Sequence, residues 1–391
     1  MNILKKCAEY KVAQNYIDKG IYPYFHTLES KQDAVVTMEG KRMIMLGSNN
    51  YLGLTVHPKV VEAGIKALEK YGTGCSGSRF MNGTLDLHIK LEKELAEFVN
   101  KEASMTFSTG YQSNLGIISG IASLHDVILC DRENHASIYD GCRLSYGDVL
   151  RYKHNDMEDL EKRLQSVPEN VGCIIITDGV FSMSGDICNL PEIVRLAKKY
   201  DAAVMVDDAH GFGVLGEGGR GTADYFGLTD DVDIIMSTFS KSLASLGGFA
   251  AANKTVIDYL RHNARSFMFS ASITPASCAA ANAALDVIKE EPERVKKLAD
   301  LADYMRDGLK KRGIKIKEAK TPIVPIYTYD DIRTLVVSKT LFERGVYVNP
   351  VLPPATDPKN CLIRTSLMAT HTPEILDEAM DLIKEVLEEI K

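Results

Sequence analysis

Short apolar runs alternate with helical patterns through the middle of this chain. The runs are apolar on both faces, whereas a half-exposed strand alternates between apolar and polar positions. Continuous apolar strands are typical of a mainly parallel sheet that is covered by helices on both sides. The predicted strands are Val127–Cys130, Cys173–Thr177, Ala202–Val206, Asp233–Ser237 and Gly248–Ala252.

Helical patterns separate these strands, as at Asp156–Leu164 and at Pro191–Tyr200, where proline stands at a first helical position. Beyond residue 285 the pattern changes to a compact mixture of helices and extended stretches. These are the helices Glu290–Gly313, Ile332–Arg344 and Pro373–Lys391 and the stretches Thr321–Tyr329, Gly345–Asn349 and Cys361–Ser366. We therefore predict an α/β fold with an N-terminal segment (1–45), a large domain (46–285) and a smaller α+β C-terminal domain (286–391).

Length and composition narrow the class of protein. The chain has 391 residues, which is enough for a large domain and a second, smaller one. Its net charge is −7 and its cations form no cluster, so a nucleic-acid-binding role is not expected. No apolar stretch is long enough for a membrane span, and the N-terminal charges do not fit a signal peptide, which predicts a cytoplasmic protein. The eight cysteines are scattered without a CxxC pair, so neither a zinc site nor a disulfide framework is expected.

A lysine directly follows one of the buried strands. In the segment Asp233–Lys241 the strand ends in hydroxyl side chains and then in the lysine itself. Open α/β sheets bind ligands at the carboxyl ends of their strands, and burial there would lower the lysine pKa and make the amine nucleophilic toward an aldehyde. Thr238 and Ser240 would then be near enough to donate hydrogen bonds to a cofactor phosphate. An ordinary strand-end lysine is an equal alternative for this segment alone.

Acids and a histidine follow a second buried strand, in the segment Ala202–His210. Asp207 is the first acid after the strand, and a carboxylate there can pair with the protonated pyridine nitrogen of pyridoxal 5'-phosphate (PLP). His210 could reach the phenolic oxygen of the same ring. A solvated acidic loop is the alternative for this segment alone. Because Asp207 and Lys241 lie one strand apart, the two segments together predict a PLP site.

Three other segments bear on this prediction. Gly211–Gly216 matches the dinucleotide fingerprint GxGxxG, but the residues after it cannot open the helix that such a site needs, so the glycines are better explained by a tight excursion over the active site. Ser108–Asn114 is predicted to be a turn that enters a helix, where backbone amides can hold a phosphate. Asn134–Ser137 follows a strand and could lay His135 on a cofactor ring, although a lone histidine is more often satisfied in a core.

In their order along the chain these residues resemble the α-oxoamine synthases. That family consists of fold-type I PLP-dependent transferases that condense an amino acid with an acyl-CoA and release CO2. The matching segments are Asn49–Leu54, Gly72–Phe80 with Gly83, Thr84 and His88, Thr109–Asn114, Asn134–Ser137, Val180–Met183, Asp207–Gly221, Thr238–Lys241, Arg364 and Ala369–Thr372.

The resemblance implies roles around the cofactor ring. Lys241 would bond to the PLP aldehyde and later move the Cα proton, and His135 would stack on the ring and face the substrate. Asp207 would pair with the pyridine nitrogen, while Ser182 and His210 would address the phenolic oxygen.

The resemblance also implies how the phosphate and the substrate are held. The phosphate would contact Gly110, Tyr111, Thr238 and Ser240, together with Ser272 from the other subunit of a homodimer. Asn50 and Arg364 would bind the carboxylate of the amino acid, since a guanidinium can do so bidentately.

Three segments are most similar to the bacterial family members that condense L-serine with palmitoyl-CoA to give 3-ketosphinganine, the start of sphingolipid synthesis. These segments are Tyr22–Phe25, Gly77–Thr84 and Pro353–Thr356. Ser184 departs from the family pattern, which usually has an aspartate at that position. A long acyl chain would also allow a transient membrane contact through the partly apolar N-terminal stretch.

Three alternatives stay open. Glycine C-acetyltransferase and 8-amino-7-oxononanoate synthase share the chemistry and differ in the amino acid and the acyl chain. Pro353–Thr356 argues mildly against the first of these, and Gly77–Phe80 argues mildly against the second. A non-catalytic partner subunit belongs to another class, and the joint presence of Lys241, Asp207 and His135 argues against it.

Overall fold

The computed structural model describes residues 2–390. The helices are α1 (Lys5–Glu9), α2 (Val12–Asp18), α3 (Pro58–Tyr71), α4 (Asp86–Phe98), α5 (Gly110–Ile121), α6 (Ala136–Leu144), α7 (Met157–Gln165), α8 (Leu190–Lys199), α9 (Thr222–Tyr225), α10 (Lys254–Asn263), α11 (Arg265–Met268), α12 (Pro275–Glu290), α13 (Glu293–Lys311), α14 (Asp331–Glu343) and α15 (Pro373–Glu389). The strands are β1 (Val35–Met38), β2 (Lys41–Met45), β3 (Ala103–Phe107), β4 (Val127–Asp131), β5 (Asp148–Tyr152), β6 (Cys173–Asp178), β7 (Ala203–Asp207), β8 (Ile234–Thr238), β9 (Gly248–Ala252), β10 (Ile323–Tyr327), β11 (Val346–Tyr347), β12 (Asn349–Val351) and β13 (Leu362–Ser366).

A seven-stranded sheet forms the centre of the molecule, in the order β3-β9-β8-β7-β6-β4-β5. The strands β5, β4, β6, β7 and β8 are parallel, and β9 runs antiparallel to both of its neighbours. Successive side chains of one strand enter two different cores: Ile175 packs in the cluster on one face, while Ile174 and Ile176 pack in the cluster on the other. This double burial explains why the strands read as continuous apolar runs.

The predicted mainly parallel sheet and its helical cover are confirmed. The five predicted strands coincide with β4, β6, β7, β8 and β9 to within a residue or so at each end. Two strands of the sheet carry too many polar residues to be recognised as apolar runs. In β3 the hydroxyls of Ser104 and Thr106 are satisfied by Glu92, and β5 is an edge strand with a largely exposed outer side.

A second layer follows α12, made of the antiparallel sheet β10-β13-β12 and of α13, α14 and α15. The N-terminal strand β2 pairs in parallel with β11 of this layer, so residues 41–45 are attached to the C-terminal part of the chain. The predicted boundary at residue 285 falls inside α12, which packs on α3 and α4 of the large domain. The division into domains stays a prediction.

Among residues 2–390, no helix combines the length and the apolar character that crossing a bilayer requires. The same residues contain no cluster of His, Cys, Asp and Glu side chains arranged to hold a metal ion.

Candidate active site

The carboxyl ends of β6, β7 and β8 meet at one edge of the sheet, because these strands are parallel neighbours. Asp178 ends β6, Asp207 ends β7, and Lys241 lies in the turn after β8. A cavity of about 270 Å³ opens at this edge. The residues that line it include every one assigned from the sequence to the ring or to the phosphate within one chain: Gly110, Tyr111, His135, Ser182, Asp207, His210, Thr238, Ser240 and Lys241.

Asp207 is a buried carboxylate with two hydrogen-bond donors. Asn114 Nδ2 donates to its Oδ2 at 2.7 Å, and the amide of Ala209 donates to its Oδ1 at 3.0 Å. The neighbouring Asp208 faces the other way, where it accepts a hydrogen bond from the amide of Thr222 at 2.7 Å. The structure therefore brings the first of the two acids to the cavity. Asn114 belonged to a segment singled out in the sequence, but only the fold reveals its contact with Asp207.

The amine of Lys241 is buried, and burial favours its neutral form. Burial lowers the pKa of Lys241 to about 8, with Asp207 opposing this effect and the charge of Arg364 adding to it. Burial, and after it the charge of Asp207, raises the pKa of Asp178 well above its usual range. A lysine whose pKa is close to neutral is suited to attack an aldehyde and to move a proton.

His135 is held as the N-cap of α6. Its backbone amide donates to Asp178 Oδ2 at 2.8 Å, and its Nδ1 lies 2.7 Å from Ser137 Oγ. Desolvation in the pocket lowers the pKa of His135, which favours the neutral ring, and the side chain lines the cavity. A neutral ring fixed in this way is suited to stack on an aromatic cofactor.

The other end of the cavity is a polar cradle. The helix α5 starts at Gly110, and its N-cap Thr109 accepts a hydrogen bond from the amide of Gln112 at 3.0 Å. Thr238 Oγ1 lies 2.9 Å from Ser240 Oγ across from this helix start. A Cβ on Gly110 would come within 2.6 Å of the Thr238 side chain, so only glycine allows the helix to approach β8 this closely. Helix amides and two hydroxyls together form a site for a phosphate.

These groups fit PLP. A nucleophilic amine, a buried carboxylate, a fixed histidine and a phosphate cradle surround one cavity, and each corresponds to a part of the cofactor. The arrangement rests on residues from β6, β7, β8, α5 and α6, so it is a property of the fold and not of one segment.

His210 belongs to a chain of contacts that the sequence did not predict. Its Nδ1 lies 2.6 Å from the hydroxyl of Tyr51, which in turn lies 3.4 Å from Arg364 Nη2. Burial, and next the positive charges of Lys241 and Arg364, hold the pKa of His210 well below its usual range. Tyr51 stands inside the segment Asn49–Leu54, directly after the two asparagines, and that position was the available signal for it.

Arg364 lies on β13 and reaches the cavity from the C-terminal layer. Its Nη1 donates to Ser366 Oγ at 2.6 Å, its Nη2 donates to Asn49 Oδ1 at 3.0 Å, and its Nε donates to the carbonyl of Ser182. The guanidinium is buried, and its orientation is set by these acceptors from distant parts of the chain.

Of the two neighbouring asparagines, Asn49 lies beside Arg364 and Asn50 does not, while the predicted role of Asn50 toward the substrate stays a prediction. The side chain of Asn50 is turned inward, where its Nδ2 donates to Thr55 Oγ1 at 2.7 Å and to the carbonyl of Gln32 at 3.4 Å. Its amide is thus used to hold a turn, while Asn49 is half-buried and faces the larger cavity described below.

Ser272 and Ser184 lie away from the groups of their own chain's cofactor cavity. Ser272 Oγ donates to the carbonyl of Gly77 at 3.1 Å, on the loop that precedes α4. Ser184 Oγ accepts a hydrogen bond from the amide of Asp186 at 3.3 Å, a capping role that an aspartate could also fill.

A larger cavity of about 730 Å³ continues outward from Lys241, His135, His210 and Arg364. Two segments that lie far apart in the sequence form the outer walls of this cavity. One is the N-terminal stretch around α2, and the other is β12 with the loop that follows it. Their apolar and aromatic lining residues are Tyr10, Val12, Ala13, Tyr16, Tyr22, Tyr24, Pro350, Val351, Leu352, Pro353 and Ala355.

The chain has known relatives along nearly its whole length. The family model of class I and II aminotransferases matches residues 41–383. Over 377 residues the chain is 53% identical to a serine palmitoyltransferase of Bacteroides thetaiotaomicron, with 96% of each chain covered. Over 368 residues it is 44% identical to an 8-amino-7-oxononanoate synthase of Thermoanaerobacter pseudethanolicus, with 94% of this chain and 93% of that one covered.

The fold has an equally close counterpart among solved structures. Serine palmitoyltransferase of Sphingomonas wittichii matches with a TM-score of 0.93 at 36% identity, and the match covers 100% of both chains. Likeness of this degree in sequence, in fold and in family model has one explanation: the chain belongs to the α-oxoamine synthase family of fold-type I PLP-dependent enzymes.

Proposed function

We propose that this chain condenses L-serine with a long-chain acyl-CoA, such as palmitoyl-CoA, and releases CoA, CO2 and 3-ketosphinganine. The observation that carries the proposal is the cavity of about 730 Å³, in which Lys241 and Arg364 face an outer wall of apolar and aromatic side chains. The identity of 53% to a relative named serine palmitoyltransferase supports the same reaction. Such a cavity offers separate places for a small zwitterion and for a hydrocarbon chain.

Arg364 and Asn49 would bind the carboxylate of the amino acid. Arg364 is already oriented by Ser182 and Ser366, so little side-chain entropy would be lost when the substrate binds. Asn49 Oδ1 accepts a hydrogen bond from Arg364 Nη2, and an oxygen of the substrate carboxylate would take its place as the acceptor. The amino group of the substrate would then lie toward Lys241.

PLP, when bound, withdraws electrons from the Cα of the amino acid, so that this carbon can lose its proton and attack a thioester. Asp207 would hold a negative charge beside the ring nitrogen, and Asn114 would keep that carboxylate in place. Lys241 would take the Cα proton on Nζ and return it, because a pKa near 8 leaves a substantial fraction of neutral amine at neutral pH. His135 would cover one face of the ring and exclude water from it.

The outer wall of the cavity distinguishes the proposed acyl chain from one that ends in a carboxylate. The relatives named 8-amino-7-oxononanoate synthase make a product that keeps such a carboxylate. Within residues 2–390, the lysine and arginine side chains that line the cavity are Lys241 and Arg364, both at its inner end. The outer end carries Asp331, which would repel a second carboxylate. A neutral hydrocarbon chain fits this wall better.

We also propose that the enzyme acts as a homodimer. Large apolar side chains are exposed at Phe80, Met81, Tyr111, Leu246 and Phe269, and two of them, Tyr111 and Leu246, line the smaller cavity. A second copy of the chain would cover this patch, as exposed apolar patches of this kind often mark association surfaces. Ser272, held on the loop of Gly77 at the same surface, would then reach the phosphate cradle of the neighbouring subunit.

The test uses purified protein loaded with PLP. L-serine, glycine and L-alanine are each titrated while the absorbance of the bound cofactor is followed, and the products formed with palmitoyl-CoA and acetyl-CoA are identified by mass. A response to L-serine and an aminoketone with the palmitoyl chain support the proposal. A response to glycine alone with turnover of acetyl-CoA would overturn the substrate assignment.

Two variants sharpen this test. Lys241→Arg keeps the charge but removes the nucleophilic amine, and is expected to abolish turnover in every arm. Ser272→Ala is expected to weaken PLP binding in the dimer while light scattering shows the same oligomeric state. A monomer in solution with full activity would contradict the proposed dimer.

A further inference from the structure

The loop after β6 is a tight hairpin, Phe181–Asp186. The amide of Phe181 donates to the carbonyl of Asp186 at 2.8 Å, and the amide of Gly185 donates to the carbonyl of Phe181 at 2.9 Å. Ser182 and Met183 at its tip line the larger cavity. The position of the hairpin therefore decides where these two residues stand.

The hairpin also decides how Arg364 is oriented. The carbonyl of Ser182 accepts the hydrogen bond from Arg364 Nε, which is one of the contacts that set the orientation of the guanidinium plane toward the cavity. A displacement of the hairpin would therefore be transmitted to Arg364 without any direct contact with the substrate.

The base of the hairpin is anchored by His154, which follows β5. His154 Nε2 lies 3.3 Å from Asp186 Oδ2, and its Nδ1 lies 3.1 Å from Asp131 Oδ1 at the end of β4. Glu133 Oε2 lies 3.7 Å from the same Nε2, and the ring of Phe181 meets the imidazole edge-on at 4.3 Å. One ring thus ties the hairpin to the carboxyl edge of the central sheet.

The charges around the His154 ring strengthen its hydrogen bonds to Asp131 and Asp186. Burial opposes the charged form of His154, but the hydrogen bonds to Asp131 and Asp186 outweigh it and raise its pKa to about 9. Burial likewise opposes ionisation of Asp186, but His154 and Lys317 outweigh it and lower that pKa to about 2. A charged, half-buried hydrogen bond of this kind is stronger than a neutral one.

Two contacts hold the hairpin from the opposite side. Lys317 pairs with Asp186, and Thr321 Oγ1 donates to the carbonyl of Gly185 at 3.0 Å. Both come from the C-terminal layer, which also carries Arg364. His154 is therefore a side-chain contact that holds the hairpin to the sheet that carries the cofactor residues.

We propose that His154 is a positioning residue: it anchors Asp186 and thereby keeps the Ser182 carbonyl where it orients Arg364 toward the carboxylate of the amino acid. This inference rests on the proposed function, in which Arg364 binds that carboxylate. Neither His154 nor Asp186 lines the cavities described above, so their effect is transmitted through the hairpin.

The experiment compares His154→Gln with the unaltered holoenzyme. The dissociation constant for L-serine, from the absorbance of bound PLP, is expected to rise about tenfold, as expected for the loss of a charged hydrogen bond. The dissociation constant for PLP itself is expected to change much less than that for L-serine, because Ser182 is the one residue on the hairpin among those assigned to the cofactor. Asp186→Asn is expected to act in the same direction and serves as a second variant should the first fold poorly.

His57→Gln is the matched control. His57 has a similar side-chain exposure of 17%, against 19% for His154, and its Nε2 also faces a carboxylate, Glu291 Oε1 at 3.5 Å. The same substitution there is expected to leave the dissociation constant for L-serine unchanged.

A double-variant cycle separates positioning from general loosening. In the background of Arg364→Lys, which lacks the guanidinium plane, His154→Gln is expected to cause little further loss of serine binding. Equal losses in both backgrounds, or an unchanged serine constant in both hairpin-base variants, would overturn the proposal. If the unaltered protein responds to another amino acid instead of L-serine, the substrate assignment fails. In that case the dissociation constants of His154→Gln and of the unaltered protein are compared for that amino acid, and the comparison still tests the role of His154.

Discussion

The hydroxyl of Tyr51 lies 2.6 Å from Nδ1 of His210, and both side chains are buried. Burial raises the pKa of Tyr51, while burial, and next the charge of Lys241, lowers that of His210. These shifts favour the neutral form of both groups near pH 7. One hydrogen bond between them fixes the plane of the imidazole. His210 can then present its other nitrogen to the cavity.

Tyr51→Phe would remove this bond and leave Nδ1 of His210 buried without a partner. A buried polar group that loses its partner costs about 1–3 kcal/mol, so the free energy of unfolding is expected to fall by that amount. The absorbance maximum of bound PLP is expected to shift as well, because His210 loses its orientation. Urea denaturation and a spectrum of the holoenzyme measure both effects.

The control for this change is Tyr304→Phe, whose hydroxyl contacts Asp377 Oδ2 at 2.7 Å on the surface. It is expected to leave the free energy of unfolding almost unchanged, because this hydroxyl is exposed to solvent. If Tyr51→Phe behaved like this control in both measurements, the proposed role of the Tyr51–His210 bond would be wrong.

The low pKa of Lys241 predicts how pH affects cofactor attachment. Burial lowers that pKa to about 8, whereas the pKa of an exposed lysine is about 10.4. Because the neutral amine attacks the aldehyde, the rate of covalent reaction between apoprotein and PLP is expected to rise with pH around a midpoint near 8. Rapid-mixing absorbance gives the rate, and borohydride reduction followed by mass analysis locates the modified lysine. A rate that rises only near the pH of an exposed lysine would contradict the environment described for Lys241.

Gly110→Ala tests the close approach of α5 to β8. The added methyl would stand 2.6 Å from the Thr238 side chain, so the helix start must move away from the phosphate cradle. Overpacking of this kind costs about 1–3 kcal/mol, which predicts a loss of PLP affinity of about tenfold or more. Fluorescence or absorbance titration of the apoprotein with PLP measures the loss.

Gly64→Ala, in the interior of α3, is the matched control for that change. A Cβ there meets nothing closer than 3.8 Å, so the better helix propensity of alanine is expected to raise stability slightly without altering PLP affinity. Equal PLP affinity in the Gly110→Ala and Gly64→Ala variants would show that the cradle does not need the close approach.

The buried pair of Arg79 and Glu92 supports the loop that carries Gly77. Arg79 Nη1 lies 2.7 Å from Glu92 Oε1, and the amide of Thr106 donates to the same oxygen at 2.9 Å. Glu92→Ala leaves a buried guanidinium uncompensated, which is expected to lower the free energy of unfolding by about 3–5 kcal/mol. The combined variant Arg79→Met, Glu92→Leu is expected to lose much less than the sum of its single changes.

Urea denaturation at a fixed protein concentration measures these losses. Glu62→Ala removes the exposed pair with Lys66 and is expected to leave the free energy of unfolding almost unchanged, because solvent screens the pair. A loss as small as this in Glu92→Ala would contradict the weight given to the buried pair.

Local pattern in the sequence was enough to find five of the seven strands of the central sheet and to place Lys241 and Asp207 at its carboxyl edge. Double burial makes each central strand a continuous apolar run, so the strands and their carboxyl ends can be read directly. Lys241 and Asp207 follow two such strands, and parallel neighbours in a sheet bring their ends together. The chemistry of an amine and a carboxylate at that edge then indicates the cofactor.

Contacts between distant parts of the chain decided the rest. Asn49 and Asn50 are equivalent in sequence, and only the bond to Arg364, which lies 315 residues away, distinguishes them. The role of Tyr51 depends in the same way on His210, and that of His154 on Asp186. The helix α2 buries no residue, so nothing in its own pattern shows that it walls the larger cavity. Side-chain direction and loop placement follow from tertiary packing, because a local run of residues encodes its own burial but not the identity of its partner.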